Sequence, residues 1–427
     1  MMRGRDLICV SSLDWDAHWG CVHQIMSRLA QANRILYVEE PVTMLAPLRV
    51  RRHWLRWRAA VPAVRRASAG VWILTPPPLL PFGNVRPWVN KLNQRVLGFY
   101  IRWASRRLGF TDPMLWTYLP TSIDLLDRVA SSAVVYHCVD EHSAFPGFVS
   151  REVVKGYDDA LTARADLVIT TAANLRDSRA HLNPRVHHVP NAADAAHFGA
   201  ARDPALPLPA DVASLPTPRI GVVGIHDERL DVAAIEAIAR HDPDWTVLVV
   251  GPLRPGDVDE ARLRACPNVH VLGARLMSEL PAYLKAMDVA LIPYKLDELT
   301  RNIFPLKIYE YLAAGLPVVS AALPELAGIG NDVLFAKTPA EYPALVVQAL
   351  AEDSAARRAA RVAFAARNTW DDRVEAISHL VEGMLSERAS AAAPAAEGRA
   401  VEGSAGAPPA PPVAEPPADH PSDEDGA

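Results

Sequence analysis

Residues Asp288–Ser320 read DVALIPYKLDELTRNIFPLKIYEYLAAGLPVVS. Asp288–Tyr294 is a short apolar run without a helical period, which predicts a buried strand. Lys295–Phe304 is a polar, charged loop. Pro305 stands where a helix begins, because its fixed φ suits the first turn and its missing N–H costs nothing there. Leu306–Ala314 follows as a helix. Gly315 ends it, and Pro317 cannot continue it. Leu316–Ala321 is a second buried strand. Strand, helix, strand in this order predicts an open α/β sheet.

In such a sheet, ligands bind beyond the carboxyl ends of the strands. A helix starting at Pro305 presents free N–H groups and a positive dipole end to that crevice, which suits a phosphate. Lys307 adds a full positive charge where a cation weakens the helix itself. An anionic ligand supplies the reason for it. Glu310 lies three residues on, on the same face. Its carboxylate suits ribose hydroxyls, while Lys307 and the backbone hold a diphosphate. The competing reading is a surface Lys307–Glu310 pair. The proline start, the glycine stop and the flanking strands favour a site.

The motif N-x-x-P-L-K-x-x-E-Y-L-A-A-G-x-P-V-V, from Asn302 to Val319, resembles the nucleotide-sugar signature of retaining family-4 glycosyltransferases. It is most similar to bacterial polysaccharide enzymes such as teichuronic-acid glycosyltransferases, and the resemblance spans most of residues 5–385. It implies the GT-B fold: two Rossmann-like, doubly wound α/β domains facing a cleft. Residues 1–200 would form the acceptor side and 201–368 the nucleotide-sugar side. A helix over 369–388 would cross back to the first domain. The resemblance also implies that Asn302, Ile303, Phe304 and Leu306 contact the donor beside Lys307 and Glu310, and that no bound metal is needed. Many members carry two glutamates separated by seven residues. Glu310 matches the second, but Asn302 occupies the place of the first. Donor sugar and stereochemical course therefore stay open, and uracil and guanine donors both suit this type of pocket.

At 427 residues the chain is long enough for two domains, and half its residues are hydrophobic. A net charge of −5 argues against general nucleic-acid binding. Cys9, Cys21, Cys138 and Cys266 have no C-x-x-C spacing and read as reduced thiols of a cytoplasmic protein. The first residues do not form a signal peptide. No apolar run approaches the ~18–20 residues of a membrane span.

In the first half, Leu7–Ser12 and Arg34–Glu39 read as strands around a loop and an amphipathic helix. The opening lacks G-x-G-x-x-G, which argues against a dinucleotide cofactor. Trp15, His18, Trp19 and Gly20 in that loop are candidate acceptor or donor contacts. Gly20 would let a ligand approach the backbone. Met114–Tyr118 and Ala133–Cys138 are further strands. The second delivers Asp140, Glu141 and His142 to a strand end. Asp140 is the leading acid/base or sugar-hydroxyl contact of this half. His137 and His142 compete with it, and helix capping is the plain alternative. His187–Phe198 resembles the segment that joins the two domains in these transferases.

From Pro41 to Thr111 there is no Asp or Glu, but there are thirteen Lys and Arg. Five of the ten tryptophans fall there too: Trp54, Trp57, Trp72, Trp88 and Trp103. Arg49–Arg66 is the densest part. Basic groups with indole rings suit an anionic membrane surface. Residues 49–107 are thus expected to hold the protein on the inner face of the plasma membrane. Thr75–Phe82, TPPPLLPF, reads as an exposed turn that dips into the interface. A polyprenyl-linked or glycan acceptor, which the resemblance implies, fits this placement. A plain solvated face and, less favoured, nucleic acid are the alternatives.

In the second half, Arg219–Gly224 opens a new Rossmann-type unit. Gly224 and Arg229, with Asp227 and Glu228, stand near the expected diphosphate. By the resemblance, the Gly273–Arg275 segment touches base and ribose, mostly through backbone groups. From about Arg388 the composition turns to Ala, Pro, Gly, Ser and Glu, which predicts a disordered tail. Two rivals to glycosyl transfer remain. A nucleotide-sugar epimerase of the same architecture would need no acceptor. A non-catalytic scaffold of a polysaccharide-assembly complex draws support from Asn302.

Overall fold

Among the described residues fourteen short segments form strands, most of them apolar runs buried on both faces of a sheet. The computed structural model describes residues 1–16, 19–46, 63–145, 149–330 and 332–392. Residues Met1–Leu385 form one compact unit.

Eight strands make the first sheet: β1 (Asp6–Val10), β2 (Arg34–Val38), β3 (Ala63–Ser68), β4 (Val71–Thr75), β5 (Met114–Thr117), β6 (Val134–Cys138), β7 (Leu167–Thr170) and β8 (Val186–His188). Their order is β3-β4-β2-β1-β5-β6-β7-β8. All neighbours are parallel except β3, which pairs antiparallel at the edge. Six more strands make the second sheet: β9 (Arg219–Val223), β10 (Thr246–Val250), β11 (Val269–Gly273), β12 (Val289–Ile292), β13 (Val318–Ala321) and β14 (Val333–Ala336). Their order is β11-β10-β9-β12-β13-β14, parallel throughout. Each sheet reverses direction once, between β1 and β5 and between β9 and β12. Those are the two switch points where such sheets open a crevice.

Sequence reading missed β3, β4 and β8. β3 is AVRRAS, an edge strand whose arginines blunt further pairing. Arg65 bonds Asp16 at 2.5 Å, and the Arg66 guanidinium lies 5.9 Å from the Trp72 ring. Two arginines and one tryptophan of the basic stretch thus serve the sheet edge. Trp54, Trp57 and Arg49–Arg58 lie outside the described residues. Thr75–Phe82 is also less exposed than expected: Leu79 is buried and bridges to Thr43. Phe82 alone of its large apolar residues stays exposed.

The four cysteines are free. The last helix, Trp370–Ala392, runs further than expected, and Trp370, Val374, Ile377 and Val381 pack into the core under the first sheet. The tail beyond Ala392 lies outside the described residues. Among those described, no helix is long and apolar enough to cross a membrane.

Candidate active site

The loop leaving β12 turns into the helix Lys307–Ala314. Helical backbone starts close to the expected place. Leu306 is the N-cap, and the Pro305 carbonyl accepts from the Ile308 N–H at 3.2 Å. Pro305 therefore shapes the first turn from just outside it. Gly315 ends the helix at φ +84, the left-handed conformation that favours glycine.

Lys307 reaches back over the end of β9. A Cβ on Gly224 would lie 2.4 Å from Lys307 Cε and 2.6 Å from Nζ, and Gly224 has φ +129. Behind it, a Cβ on Gly251 would lie 1.9 Å from the Gly224 carbonyl oxygen. The two glycines leave bare backbone at the switch point, and the ammonium rests against it. Lys307 Nζ is 5.5 Å from the centre of the Tyr294 ring, and Arg229 Cζ is 5.6 Å from the same ring. Asp227 holds Arg229 with both oxygens, at 2.7 and 2.6 Å. Among the described residues no carboxylate lies within ion-pair distance of Lys307. The direct Lys307–Glu310 surface pair is therefore not formed.

Glu310 is partly buried and carries no protein hydrogen bond among the described residues. Burial pushes its carboxyl up to about 7, with Lys307 drawing it back. Asp140 follows β6 and faces the second lobe. Burial pushes its carboxyl up to about 6; Arg229 lowers it and Asp227 raises it. Asp140 also raises the Cys21 thiol, after the larger effect of burial, so it stands beside the start of the helix Cys21–Leu29. It does not cap the following turn, whose cap residue is Glu141. Lys307, Glu310 and Asp140 thus stand near Arg229 and Tyr294, and among the described residues none of the three makes a side-chain hydrogen bond or an ion pair. One is cationic, and two carboxyls are tuned toward neutrality, where a proton can be taken or given.

The residues named beside Asp140 are held differently. His137 is buried, stacks on Tyr118, and burial lowers its pKa to about 3. His142 is lowered to about 4 by burial and then by Arg179. Burial opposes the charge of Glu141, yet Arg179 and the Ser143 hydroxyl hold its carboxyl below the ordinary value.

The remaining motif residues divide. Ile303 and Phe304 are buried, Phe304 stacks on Tyr309, and its carbonyl accepts from Asn191 at 3.2 Å. Backbone is what these two can offer a ligand. Asn302 donates to the Glu298 carbonyl at 3.3 Å. Leu306 packs on the first-lobe core. Gly273 has φ +72 and open space where a Cβ would stand. The Arg275 guanidinium is committed to Asp211 at 2.6 Å and to the Tyr283 hydroxyl at 2.5 Å. Gly20 heads the helix Cys21–Leu29, but its N–H donates to His23 Nδ1 at 3.2 Å. Trp19 is exposed, Trp15 packs edge-on against Tyr37, and His18 lies outside the described residues. Asp194 caps the helix Ala195–Gly199.

Tyr294 and Gly251 were missed as site residues. Tyr294 reads as the end of an apolar strand, and only its neighbours in space reveal a platform for two cations. Gly251 closes β10, and its need for glycine arises from Gly224, 27 positions earlier.

Residues 218–352 match the family Glycosyl transferases group 1. TuaH of Bacillus subtilis (strain 168), named as a teichuronic acid biosynthesis glycosyltransferase, is 35% identical over 125 residues, which are 29% of this chain and 32% of that protein. The match thus spans about a third of that relative's length. The fold is shared more widely. Sucrose-phosphate synthase from Thermosynechococcus elongatus aligns over 91% of this chain and 100% of its own, with TM-score 0.64 and 17% identity. Anabaena Alr3699/HepE in complex with UDP aligns over 89% and 100%, with TM-score 0.62 and 14% identity. The E. coli trehalose-6-phosphate protein bound with UDP-2-fluoro glucose aligns over 88% and 99%, with TM-score 0.65 and 15% identity. The chain has the GT-B fold, and its residues 218–352 match the group 1 glycosyl transferases.

Proposed function

We propose that this protein transfers a hexosyl group from a nucleoside-diphosphate sugar to a polyprenyl-linked or glycan acceptor in bacterial cell-surface polysaccharide synthesis. The observation that carries the reading is Lys307, an ammonium without a carboxylate partner among the described residues, laid over the bare backbone of Gly224 at a switch point. The diphosphate sits there, between the Lys307 ammonium, the Lys307 backbone N–H at the head of the helix and Arg229. These groups stabilise the leaving diphosphate without a resident metal. Glu310 accepts from donor hydroxyls, and the backbone from Asn302 to Leu306 and at Gly273 lines the rest of the donor. Asp140, from the other lobe, deprotonates the acceptor or steadies positive charge at the transferring carbon. The UDP complexes among the structural neighbours support a nucleotide donor.

The acceptor side faces an anionic membrane, with the protein peripheral on the cytoplasmic face. The basic segment within residues 49–107 supports that placement.

The test is release of nucleoside diphosphate from a panel of UDP- and GDP-sugars, with and without bacterial lipid extract. Release that needs the extract and is lost in Lys307→Ala is expected. Release without any acceptor, or altered sugar recovered still attached to the nucleotide, would point to hydrolysis or epimerisation instead. Silence with every donor and extract would favour the scaffold.

A further inference from the structure

The helix Pro87–Arg107 turns its side-chain amides inward and three of its rings outward. Its buried side carries Asn90, Asn93 and Gln94 before Leu97, Ile101 and Ala104. Two of these amides are well used. Asn93 exchanges two hydrogen bonds of 2.9 Å with the Leu80 backbone. Asn90 donates to the Thr121 carbonyl at 2.9 Å and to Asp124 at 2.8 Å. The outer side carries Trp88, Leu92, Val96, Phe99 and Trp103, all exposed, with Trp88 at 65% and Phe99 at 59%. At 3.6 residues per turn these five fall within an arc of about 80°, along a helix roughly 30 Å long. Single exposed apolar residues are ordinary, but a continuous stripe marks an interaction surface.

Charge says which surface it meets. Lys91, Arg95 and Arg102 follow one border of the stripe, Arg107 lies on the other, and Arg106 stands at its end. The Arg107 guanidinium lies 5.9 Å from the Trp103 ring. Lys91, Arg95, Arg106 and Arg107 are exposed, and Arg102 also donates to the Arg128 carbonyl at 2.5 Å. The helix contains no acidic residue. Rings and aliphatic side chains edged by cations on long stems fit the headgroup boundary of an anionic bilayer. The apolar stripe enters there, and the cations reach lipid phosphates.

The structure assigns the outer face of the Pro87–Arg107 helix to docking on an anionic lipid bilayer. This narrows the proposed membrane contact from a long basic segment to one helix face. It rests on the peripheral-membrane part of the proposed function and not on the donor chemistry. A partner protein is disfavoured because the stripe lacks the mixed charges that register a specific pair.

The experiment is co-sedimentation of the full chain with phosphatidylglycerol/phosphatidylcholine vesicles at low salt, against phosphatidylcholine alone. Binding to the anionic vesicles should be at least ~10-fold tighter and should weaken with salt. Trp88→Ser/Phe99→Ser and Arg95→Glu/Arg106→Glu should each weaken it by about 10-fold or more. Both should keep the wild-type Tm, because all four side chains are exposed. Equal affinity for the two vesicle types, or full binding by the Trp88→Ser/Phe99→Ser protein, would overturn the assignment. A self-associating species in sedimentation velocity that this double variant abolishes would also overturn it, and give the stripe to a second copy. Vesicle binding that survives while no nucleoside diphosphate binds would sink the transferase reading and leave this one standing.

Discussion

At the switch point of the second lobe, Gly224 and Gly251 expose backbone, and Lys307 and Tyr294 lie across it. At the corresponding point of the first lobe, between β1 and β5, side chains fill the space. Ser11 Oγ bonds the Tyr37 hydroxyl at 2.6 Å, Trp15 packs on Tyr37, and His23 takes the Gly20 N–H. The strand order around both points is alike. The difference is side-chain size at a few positions. One lobe leaves its backbone bare of side chains under Lys307, with the Gly224 and Gly251 N–H groups bonded to the Val250 and Gly273 carbonyls. The other fills the same space with side chains and offers Asp140 from the neighbouring strand. A shared architecture supplies two crevices, and local residues decide which one holds a diphosphate.

The sharpest way to break this contrast is to give both lobes a methyl group. Gly224→Ala places a Cβ 2.4 Å from Lys307 at a φ that alanine rarely adopts. Nucleoside-diphosphate affinity should fall about 100-fold, with roughly 1–3 kcal/mol of stability lost. Calorimetric titration and chemical denaturation measure the two effects.

A pH series tests the second difference, the carboxyls. Glu310 has a folded pKa of about 7 against an ordinary 4.5. Between those values the folded protein holds more protons than the unfolded chain. Its contribution to stability is complete below about 4.5 and is lost as pH rises through 7. Glu310→Gln removes that loss, so its advantage over wild type should grow by about 1–3 kcal/mol between pH 4.5 and 8. Asp140→Asn should show the same sign, complete nearer pH 6. Denaturation midpoints across pH 4–8 read both.

Tyr294→Leu should weaken nucleotide binding by about 3–10-fold, because Lys307 and Arg229 lose their shared ring. Tyr294→Phe keeps the ring and should stay near wild type. The smallest effect belongs to the first lobe. In Gly20→Ala the new methyl meets, among the described residues, Leu13 Cδ1 at 3.0 Å, at a negative φ. Donor affinity should change by less than about 2-fold, because a single movable side chain can yield.

The stretch from Asp288 to Ser320 was legible because its signals are local. A proline opens the helix, a glycine at φ +84 closes it, and apolar runs on both sides become neighbouring parallel strands. Lys307 stood out by violating the helix dipole. The position of Asp140 after β6 could be read from the apolar run before it. Tyr294, Gly251 and the occupied Gly20 N–H could not, because each role depends on partners far away in sequence. β3 and β4 were hidden for a different reason. Edge arginines and Trp72 carry the same letters as a membrane patch, and only pairing with β2 separates the two uses. The stripe from Trp88 to Trp103 shows the reverse case, in which rings counted within the basic segment do stay outside the core.

The most direct test of the central claim is thermal stabilisation by a panel of nucleoside diphosphates and their sugars, on wild type and Lys307→Ala in parallel. A ligand that binds only the folded state raises Tm by mass action. The account predicts a selective rise for one base, lost in Lys307→Ala while the unliganded Tm holds. No rise with any nucleotide, or an equal rise in both proteins, would contradict it.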